Sequence, residues 1–147
     1  MTRPVTLRKA GPDDTFRLMG VLENTRSRID SHALELLALE GTVWCADDPD
    51  NELPVAFIAA GTLEGALTIE IIAIRKAWLE QGLDLILLDA VLNYARWAYF
   101  GSVIAFPQFE SDADVFRKRG FMPLDMPRLS AVLQQRAGAA IVWGKRL

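Results

Sequence analysis

Hydrophobic residues recur along this chain with two spacings, one typical of strands and one typical of helices. Residues 5–9 alternate between apolar and polar side chains, and several later runs are apolar or β-branched. Both patterns predict β-strands, the first half-buried and the others more fully buried. The predicted strands are residues 5–9, 42–46, 54–62, 67–74 and 102–106, one beginning at Phe121, and residues 139–147.

Helical spacing separates these strands. Leu85, Leu88, Leu92 and Ala95 recur at three- and four-residue intervals, which predicts a central helix over residues 82–99. Pro, Ser and acidic residues mark the starts of the other helices, and glycines mark several of their ends. Those helices are predicted from Pro12 to about Asn24, from a cap at Ser31 to about Glu40, from a cap at Ser111 to Gly120, and over residues 128–136.

The connections indicate how the strands pair. Residues 47–52 are a cluster of turn formers, so the strands on either side of them are expected to form a hairpin. The strands at 67–74 and 102–106 flank the central helix, and we expect them to be parallel neighbours in a mixed sheet. At 147 residues and 51% hydrophobic, the chain fits one domain over residues 1–147.

Composition excludes several classes of partner. The net charge is −3 with Lys and Arg spread along the chain, which argues against nucleic acid. The apolar stretch at 83–100 is interrupted by Asp84, Asp89 and Arg96, so we interpret it as a buried helix and expect no membrane association. A single cysteine and the lack of a signal-peptide core at the N-terminus favour the cytoplasm.

Residues 74–84 join an apolar strand to an apolar helix. Such a connection gathers free backbone N–H groups and the positive end of a helix dipole, which suits an anionic cofactor. The loop has one glycine, Gly82, and two carboxylates, Glu80 and Asp84. No spacing typical of a metal site, a Ser-His-Asp set or a Walker-type loop is present.

This order of elements resembles the GNAT acetyltransferase superfamily over almost the whole chain. Four pieces carry the resemblance: the first strand and capped helix, the strand before the loop, a helix with a Gly-Phe ending, and the closing strand. They are residues 7–14, 55–58, 113–121 and 140–147. The resemblance implies an α/β (α+β) protein with the GNAT fold, a central mixed twisted β-sheet flanked by helices on both faces.

The resemblance also implies acetyl-CoA as a co-substrate. In the family, backbone groups of the strand pair with the pantetheine arm, and loop amides hold the pyrophosphate. The corresponding positions here are Ile72, Ile74, Gln81, Gly82, Leu83 and Asp84.

The loop departs from the family pattern of Arg or Gln, two residues, Gly, one residue, then Gly or Ala. Leu79 stands at the leading polar position, Glu80 replaces a frequent glycine, and Asp84 replaces a small residue. Acids at a helix start stabilise it by roughly 0.3–1 kcal/mol, whereas a carboxylate 4 Å from a phosphate costs about 1 kcal/mol in water. Arg75 and Lys76 either offset this repulsion or form a solvated strand end.

The family's general base is often a Glu on the strand before the loop, which Glu70 matches. Alternatively, Glu70 lies on a solvated face or pairs with a Lys or Arg of a neighbouring strand. The family's general acid, a Tyr, is replaced by Phe116. The other candidates are Tyr94 and Tyr99, expected in the core of the central helix; His32, at an exposed helix start or facing the acceptor; and Cys45, expected as a small buried hydrophobe.

The predicted function is transfer of an acetyl group from acetyl-CoA to an amine of a small molecule or peptide. One alternative is a catalytically impaired relative, a pseudoenzyme that senses a ligand or binds a protein. Another is transfer from an acyl carrier other than free CoA. The apolar content, with Trp78, Trp97 and Trp143 in separate elements, is compatible with a homodimer.

Overall fold

The computed structural model describes residues 3–107, 112–138 and 141–147. Within these ranges the chain forms seven β-strands and five α-helices. In chain order they are β1 (Thr6–Lys9), α1 (Thr15–Val21), α2 (Ser31–Leu39), β2 (Val43–Asp47), β3 (Pro54–Leu63), β4 (Ala66–Ile74), α3 (Leu83–Trp97), β5 (Ser102–Ala105), α4 (Ala113–Arg117), β6 (Met122–Pro123), α5 (Ala131–Ala137) and β7 (Trp143–Arg146).

The strands form one mixed sheet in the order β1-β2-β3-β4-β5-β7-β6. β1 pairs antiparallel with β2, and β2 with β3, which confirms the predicted hairpin. β4 and β5 are parallel, with Leu67 opposite Val103, which confirms the pairing expected across the central helix. β7 pairs antiparallel with both β5 and β6.

The chain divides into two compact units, of which the first comprises Met1–Ala60 and Ile71–Val91. Its core contains α1, α2, β2, β3 and the end of β4. Leu18 and Val21 of α1 are fully buried together with Leu34 of α2 and Phe57 of β3. This cluster follows from the apolar stripes of two short helices packed on an apolar sheet face.

The second unit comprises Gly61–Glu70 and Leu92–Leu147. Leu133 of α5 is buried against Ala66, Ile104 and Val142, which lie on or beside strands of the sheet. A Cβ atom on Gly144 would lie 2.8 Å from a methyl carbon of Leu124, so the absence of a side chain permits this close approach.

Several predicted boundaries differ from the observed ones. A 3-10 turn at Pro12–Asp14 precedes α1, which ends at Val21 and not near Asn24. The N-cap of α2 is Asp30, whose carboxylate accepts from the Ala33 N–H at 3.0 Å, and not Ser31. The last helix is limited to Ala131–Ala137, after a 3-10 turn at Met126–Arg128.

Three other boundaries also differ from those predicted. α3 ends at Trp97, because the φ of Tyr99 is +63° and a right-handed helix cannot include that conformation. The closing strand is Trp143–Arg146, and two of the residues predicted for it, 139 and 140, lie outside the described ranges. The predicted cap at Ser111 also lies outside them, and Asp112 is the N-cap of α4.

None of the helices in the described ranges is long and apolar enough to cross a membrane.

Candidate functional site

β4 continues beyond the segment that pairs with β5. Its register with β5 consists of three pairs, from Leu67–Val103 to Ile69–Ala105, where β5 ends. From Glu70 to Ile74 the backbone of β4 therefore has no β5 partner in the described part of the chain. Glu70, Ile72 and Ile74 are half-buried while the residues between them are buried, so these three alternate positions share one face.

Arg75, the first residue after β4, turns back toward β3. Its backbone N–H donates to the Val55 carbonyl at 2.8 Å, and its Nε donates to the Pro54 carbonyl at 3.1 Å. The side chain also lines a groove of about 540 Å³ with Glu23, Asn24, Lys76 and Ala77. Arg75 is thus fixed to the sheet, and Lys76 is exposed.

Arg3 holds the middle of the loop. Its guanidinium carbon lies 3.5 Å from the centroid of the Trp78 ring, and Trp78 itself is 5% exposed. The Arg3 backbone N–H donates to Oε1 of Gln81 at 2.8 Å, and its Nη1 donates to the Ala77 carbonyl at 3.4 Å. The Gln81 side chain, predicted to bind cofactor, is therefore engaged by the N-terminal segment.

The turn into α3 has two residues in the left-handed conformation. The φ angles of Glu80 and Gly82 are +66° and +74°. A Cβ on Gly82 would have no described heavy atom within 4 Å, so the backbone at this position is accessible from one side. Leu79 is half exposed, and Glu80 occupies a conformation that favours glycine.

The first turn of α3 presents backbone donors and one carboxylate. The first helical hydrogen bond runs from the Ile86 N–H to the Gly82 carbonyl at 3.2 Å, so earlier amides need other acceptors. Oδ1 of Asp84 accepts from the Leu85 N–H at 2.8 Å and thereby uses one of those donors. The side chain of Leu83 is buried, so only its backbone could face a ligand.

Glu70 lies in a small polar cluster of the second unit. Oγ1 of Thr68 donates to Oε1 of Glu70 at 2.9 Å, and Arg136 of α5 forms an ion pair with Oε2. The Arg136 guanidinium lies 5.1 Å from the centroid of the Phe106 ring. Glu70 does pair with an arginine, but the arginine comes from a helix and not from a neighbouring strand.

The residue at the position where the resemblance predicts a general acid is buried in the core. Phe116 is 3% exposed and packs on Phe121 with a centroid separation of 5.3 Å. Tyr94 is half-buried on α3, and its ring is 6.3 Å from that of Phe100. Tyr99, expected in the core, is instead 94% exposed and lies beyond the end of α3.

The remaining candidates are His32 and Cys45. His32 is exposed in the first turn of α2. Cys45 is fully buried on β2, and burial, followed by the nearby Asp47 carboxylate, raises the pKa of its thiol to about 12. This confirms Cys45 as a small buried side chain. No group of three or more metal-binding side chains occurs in the described residues.

A partly buried charge network joins β1, β2 and the turn before α1. Arg8 donates to Asp14 at 2.9 and 3.1 Å and to Asp47 at 2.6 Å, and the Gly11 N–H donates to Asp14 at 2.8 Å. The hydrogen bond from Arg8 lowers the pKa of Asp14 and, together with Asp47, raises the pKa of Arg8. The network is a structural clamp within the first unit.

The predicted cofactor residues Gln81, Gly82, Leu83 and Asp84 are contiguous at the start of α3, and Ile72 and Ile74 lie on the strand leading to them. Arg3 and Arg136 are not among the site residues predicted from the sequence. Each is distant in sequence from the residue that it contacts, and no spacing pattern connects them.

Comparisons with known proteins identify similar structures but no close relative in sequence. No protein-family model matches the chain, and no curated protein matches it. Rv2747 from Mycobacterium tuberculosis, in complex with CoA, aligns with a TM-score of 0.78 and 15% identity over 97% of this chain and 99% of its own.

Two more solved structures extend this likeness. A GNAT-family acetyltransferase from Staphylococcus aureus Mu50 aligns with a TM-score of 0.77 and 13% identity over 98% of this chain and 99% of its own. N-acetylglutamate synthase from Neisseria gonorrhoeae, complexed with coenzyme A and L-arginine, gives 0.78 and 18% identity. That match covers 99% of this chain but 34% of the synthase.

Proposed function

We propose, from the premise that this chain has the GNAT fold, that it binds acetyl-CoA and transfers the acetyl group directly to an amine. The donor would extend along Ile72 and Ile74 of β4 and reach the loop before α3. Gln81, Gly82, Leu83 and Asp84 would lie at its pyrophosphate. The acceptor would be a small molecule or a peptide.

The observation that carries this proposal is that β4 extends from Glu70 to Ile74 without a β5 partner in the described part of the chain. An extended ligand with amide groups, such as the pantetheine arm, can satisfy strand backbone groups that lack a partner. The strand leads to the accessible backbone of Gly82 and to the first turn of α3, and a helix N-terminus favours an anion. The solved relatives in complex with CoA support this choice of ligand.

We propose Glu70 as the base for the reaction. The acceptor nitrogen must lose a proton to become nucleophilic, and Glu70 is the carboxylate on the half-buried face of β4. The N–C bond then forms, the thioester C–S bond breaks, the nitrogen gives its remaining extra proton to water, and the thiolate takes a proton from water. Water is the proton source in this scheme because Phe116 carries no ionisable group.

A second candidate is a GNAT-fold protein that binds a ligand without catalysing transfer. Two observations favour it. The Asp84 carboxylate accepts a hydrogen bond from the Leu85 N–H in the first turn of α3, and the Gln81 side chain accepts one from the backbone of Arg3. Both reduce what the loop offers to a pyrophosphate. In this case the chain would act as a ligand sensor or a protein-interaction module.

Thermal unfolding with acetyl-CoA tests donor binding. A ligand at about 100 times its Kd stabilises the folded state by about 2.7 kcal/mol, which shifts the melting temperature by several degrees. No shift at millimolar acetyl-CoA would overturn the proposed function. Binding without transfer to any amine would favour the sensor.

Glu70→Gln tests the proposed base. We expect the rate of CoA release at neutral pH to fall by about 100-fold or more, with acetyl-CoA binding retained. Glu52→Gln, which changes an exposed glutamate at the β2–β3 hairpin, serves as the matched control. An unchanged rate in Glu70→Gln would remove Glu70 from the mechanism.

We propose that the chain works as one GNAT-like domain of residues 1–147, in the cytoplasm and as a homodimer, without a nucleic-acid or membrane partner. The support is compositional: the net charge is −3 and the apolar content is high. Light scattering after size-exclusion chromatography tests the dimer, and a mass near 16.3 kDa would contradict it.

A further inference from the structure

The ion pair between Glu70 and Arg136 presents one negative and one positive group at the same place. The side chain of Glu70 is 21% exposed and that of Arg136 is 43% exposed, so solvent reaches both. Thr68 holds one oxygen of Glu70, and the guanidinium lies near the Phe106 ring. The two charges are therefore positioned by neighbours as well as by each other.

Stability of the second unit gives little reason for this pair. Ion pairs accessible to solvent contribute little to stability, because water weakens the attraction and both side chains lose conformational freedom when they meet. α5 is attached by other contacts. Its Leu133 is buried against Ala66 and Val142, and the hydroxyl of Ser130, the N-cap of the helix, donates to the Glu64 carboxylate at 2.5 Å. A helix held in this way does not need Arg136.

A carboxylate beside a guanidinium is complementary in charge to a zwitterion, which carries one ammonium and one carboxylate group. We infer that the acceptor is a free amino acid, whose ammonium group faces Glu70 and whose carboxylate pairs with Arg136. This inference rests on the proposed function, because Glu70 is its proposed base. Arginine suits the second contact, since its planar guanidinium binds a carboxylate through two parallel hydrogen bonds.

Charge also separates this acceptor from other amines. The carboxylate of an amino acid neutralises Arg136 while its amine approaches Glu70, so one internal ion pair is exchanged for two with the ligand. A polyamine would bring further positive charge toward Arg136 and would be repelled. A peptide N-terminus lacks the adjacent carboxylate and would leave Arg136 without the new partner.

The reaction balances with these groups. The ammonium group gives one proton to Glu70, and the neutral nitrogen attacks the thioester carbonyl. As the N–C bond forms and the C–S bond breaks, the nitrogen gives its second proton to water, and water gives one proton to the thiolate. The products are an N-acetylamino acid and CoA, with Arg136 still bound to the carboxylate.

Amino acids and their amides, compared pairwise with acetyl-CoA as donor, test the inference. Each amide keeps the amine and the side chain but loses the negative charge. We expect the best amino acid to have a kcat/KM at least tenfold above that of its amide. Arg136→Gln should remove this preference, because it should raise KM for the amino acid at least tenfold more than KM for the amide, and Arg136→Lys should restore part of it.

Arg128→Gln is the matched control, because Arg128 is an exposed arginine that pairs with Asp125 in the 3-10 turn before α5. It should leave the preference intact. Equal use of amino acids and amides, or an equal loss for both in Arg136→Gln, overturns this inference alone. Absence of both transfer and stabilisation by acetyl-CoA overturns the proposed function and the inference with it.

Discussion

The central carbon of the Arg3 guanidinium lies over the Trp78 ring, 3.5 Å from its centroid. The backbone of the same residue donates to Gln81, and its side chain reaches the Ala77 carbonyl. One residue near the chain start therefore contacts three positions of the loop before α3. The loop that would hold the donor takes its shape partly from a segment outside the strand-loop-helix unit.

We expect Arg3→Ala to lower the free energy of unfolding by about 1 kcal/mol, because an exposed cation–π contact contributes about 0.5–1 kcal/mol. A less ordered loop should also raise the Kd for acetyl-CoA. Urea unfolding and calorimetric titration measure the two effects. Arg3→Lys keeps the charge and should show a smaller change, while wild-type stability in Arg3→Ala would mean that the stacking contact contributes nothing.

Glu80→Gly should stabilise the protein by up to about 1 kcal/mol. The left-handed conformation costs a residue with a Cβ roughly 1–2 kcal/mol, and part of this gain is offset because glycine loses more conformational entropy on folding. The φ of Glu80 is +66°. Removing its charge should also tighten acetyl-CoA binding. Chemical denaturation and titration calorimetry measure these two effects.

Glu52→Gly is a close control for Glu80→Gly, because Glu52 is also a glutamate with positive φ, +60°, but lies at the β2–β3 hairpin. It should stabilise the fold and leave acetyl-CoA affinity unchanged. If both substitutions altered affinity equally, the charge of Glu80 would not act on the ligand.

Asp84→Asn separates the two roles of that carboxylate. Its oxygen can still accept from the Leu85 N–H, but the charge that favours the helix start is gone, so we expect a loss of about 0.3–1 kcal/mol in stability. Acetyl-CoA should bind more tightly, by fivefold or more if one charge pair near 4 Å is removed. Asp84→Ala should lose more stability. Weaker binding in both variants would show that the carboxylate points away from the donor.

The Arg8–Asp14 contact predicts a particular acid sensitivity. Arg8 holds the pKa of Asp14 below the ordinary aspartate value of about 4, so folding favours the ionised carboxylate. Its contribution is complete above that value and is lost as pH falls through the lower pKa of the folded state. Urea unfolding between pH 7 and pH 3 should show less acid sensitivity in Asp14→Asn. The neighbouring Asp13→Asn should keep the wild-type profile, and identical profiles in both variants would contradict this assignment.

Local patterns predicted the strands and helices because their signals lie within a few residues of each other. The parallel relation of β4 and β5 followed from one helix crossover, and the β2–β3 hairpin followed from a cluster of turn formers. The end of α3 was placed too late, since the apolar stripe continues through Ala98 while the positive φ of Tyr99 ends the helix. Periodicity does not encode that backbone conformation.

The candidate site was less predictable, because its contacts connect distant residues. Glu70 was identified as a carboxylate on an apolar strand, but its partner Arg136 lies on α5. Arg3 reaches Gln81 from the other end of the sequence, and nothing in the intervening spacing indicates this. A helix and a loop can be anticipated from local residues, whereas the charges that meet across them depend on how the sheet brings them together.

Burial gives Cys45 a practical use as a reporter of unfolding. The chain has one thiol, which is fully buried on β2 and has its pKa raised to about 12. It should react with disulfide reagents only when β2 separates from its neighbours, since thiolate and access are both needed. Assays that detect released CoA with such reagents should therefore have little background from the native protein. Slow labelling of Cys45 should measure the opening of the first unit without any engineered probe.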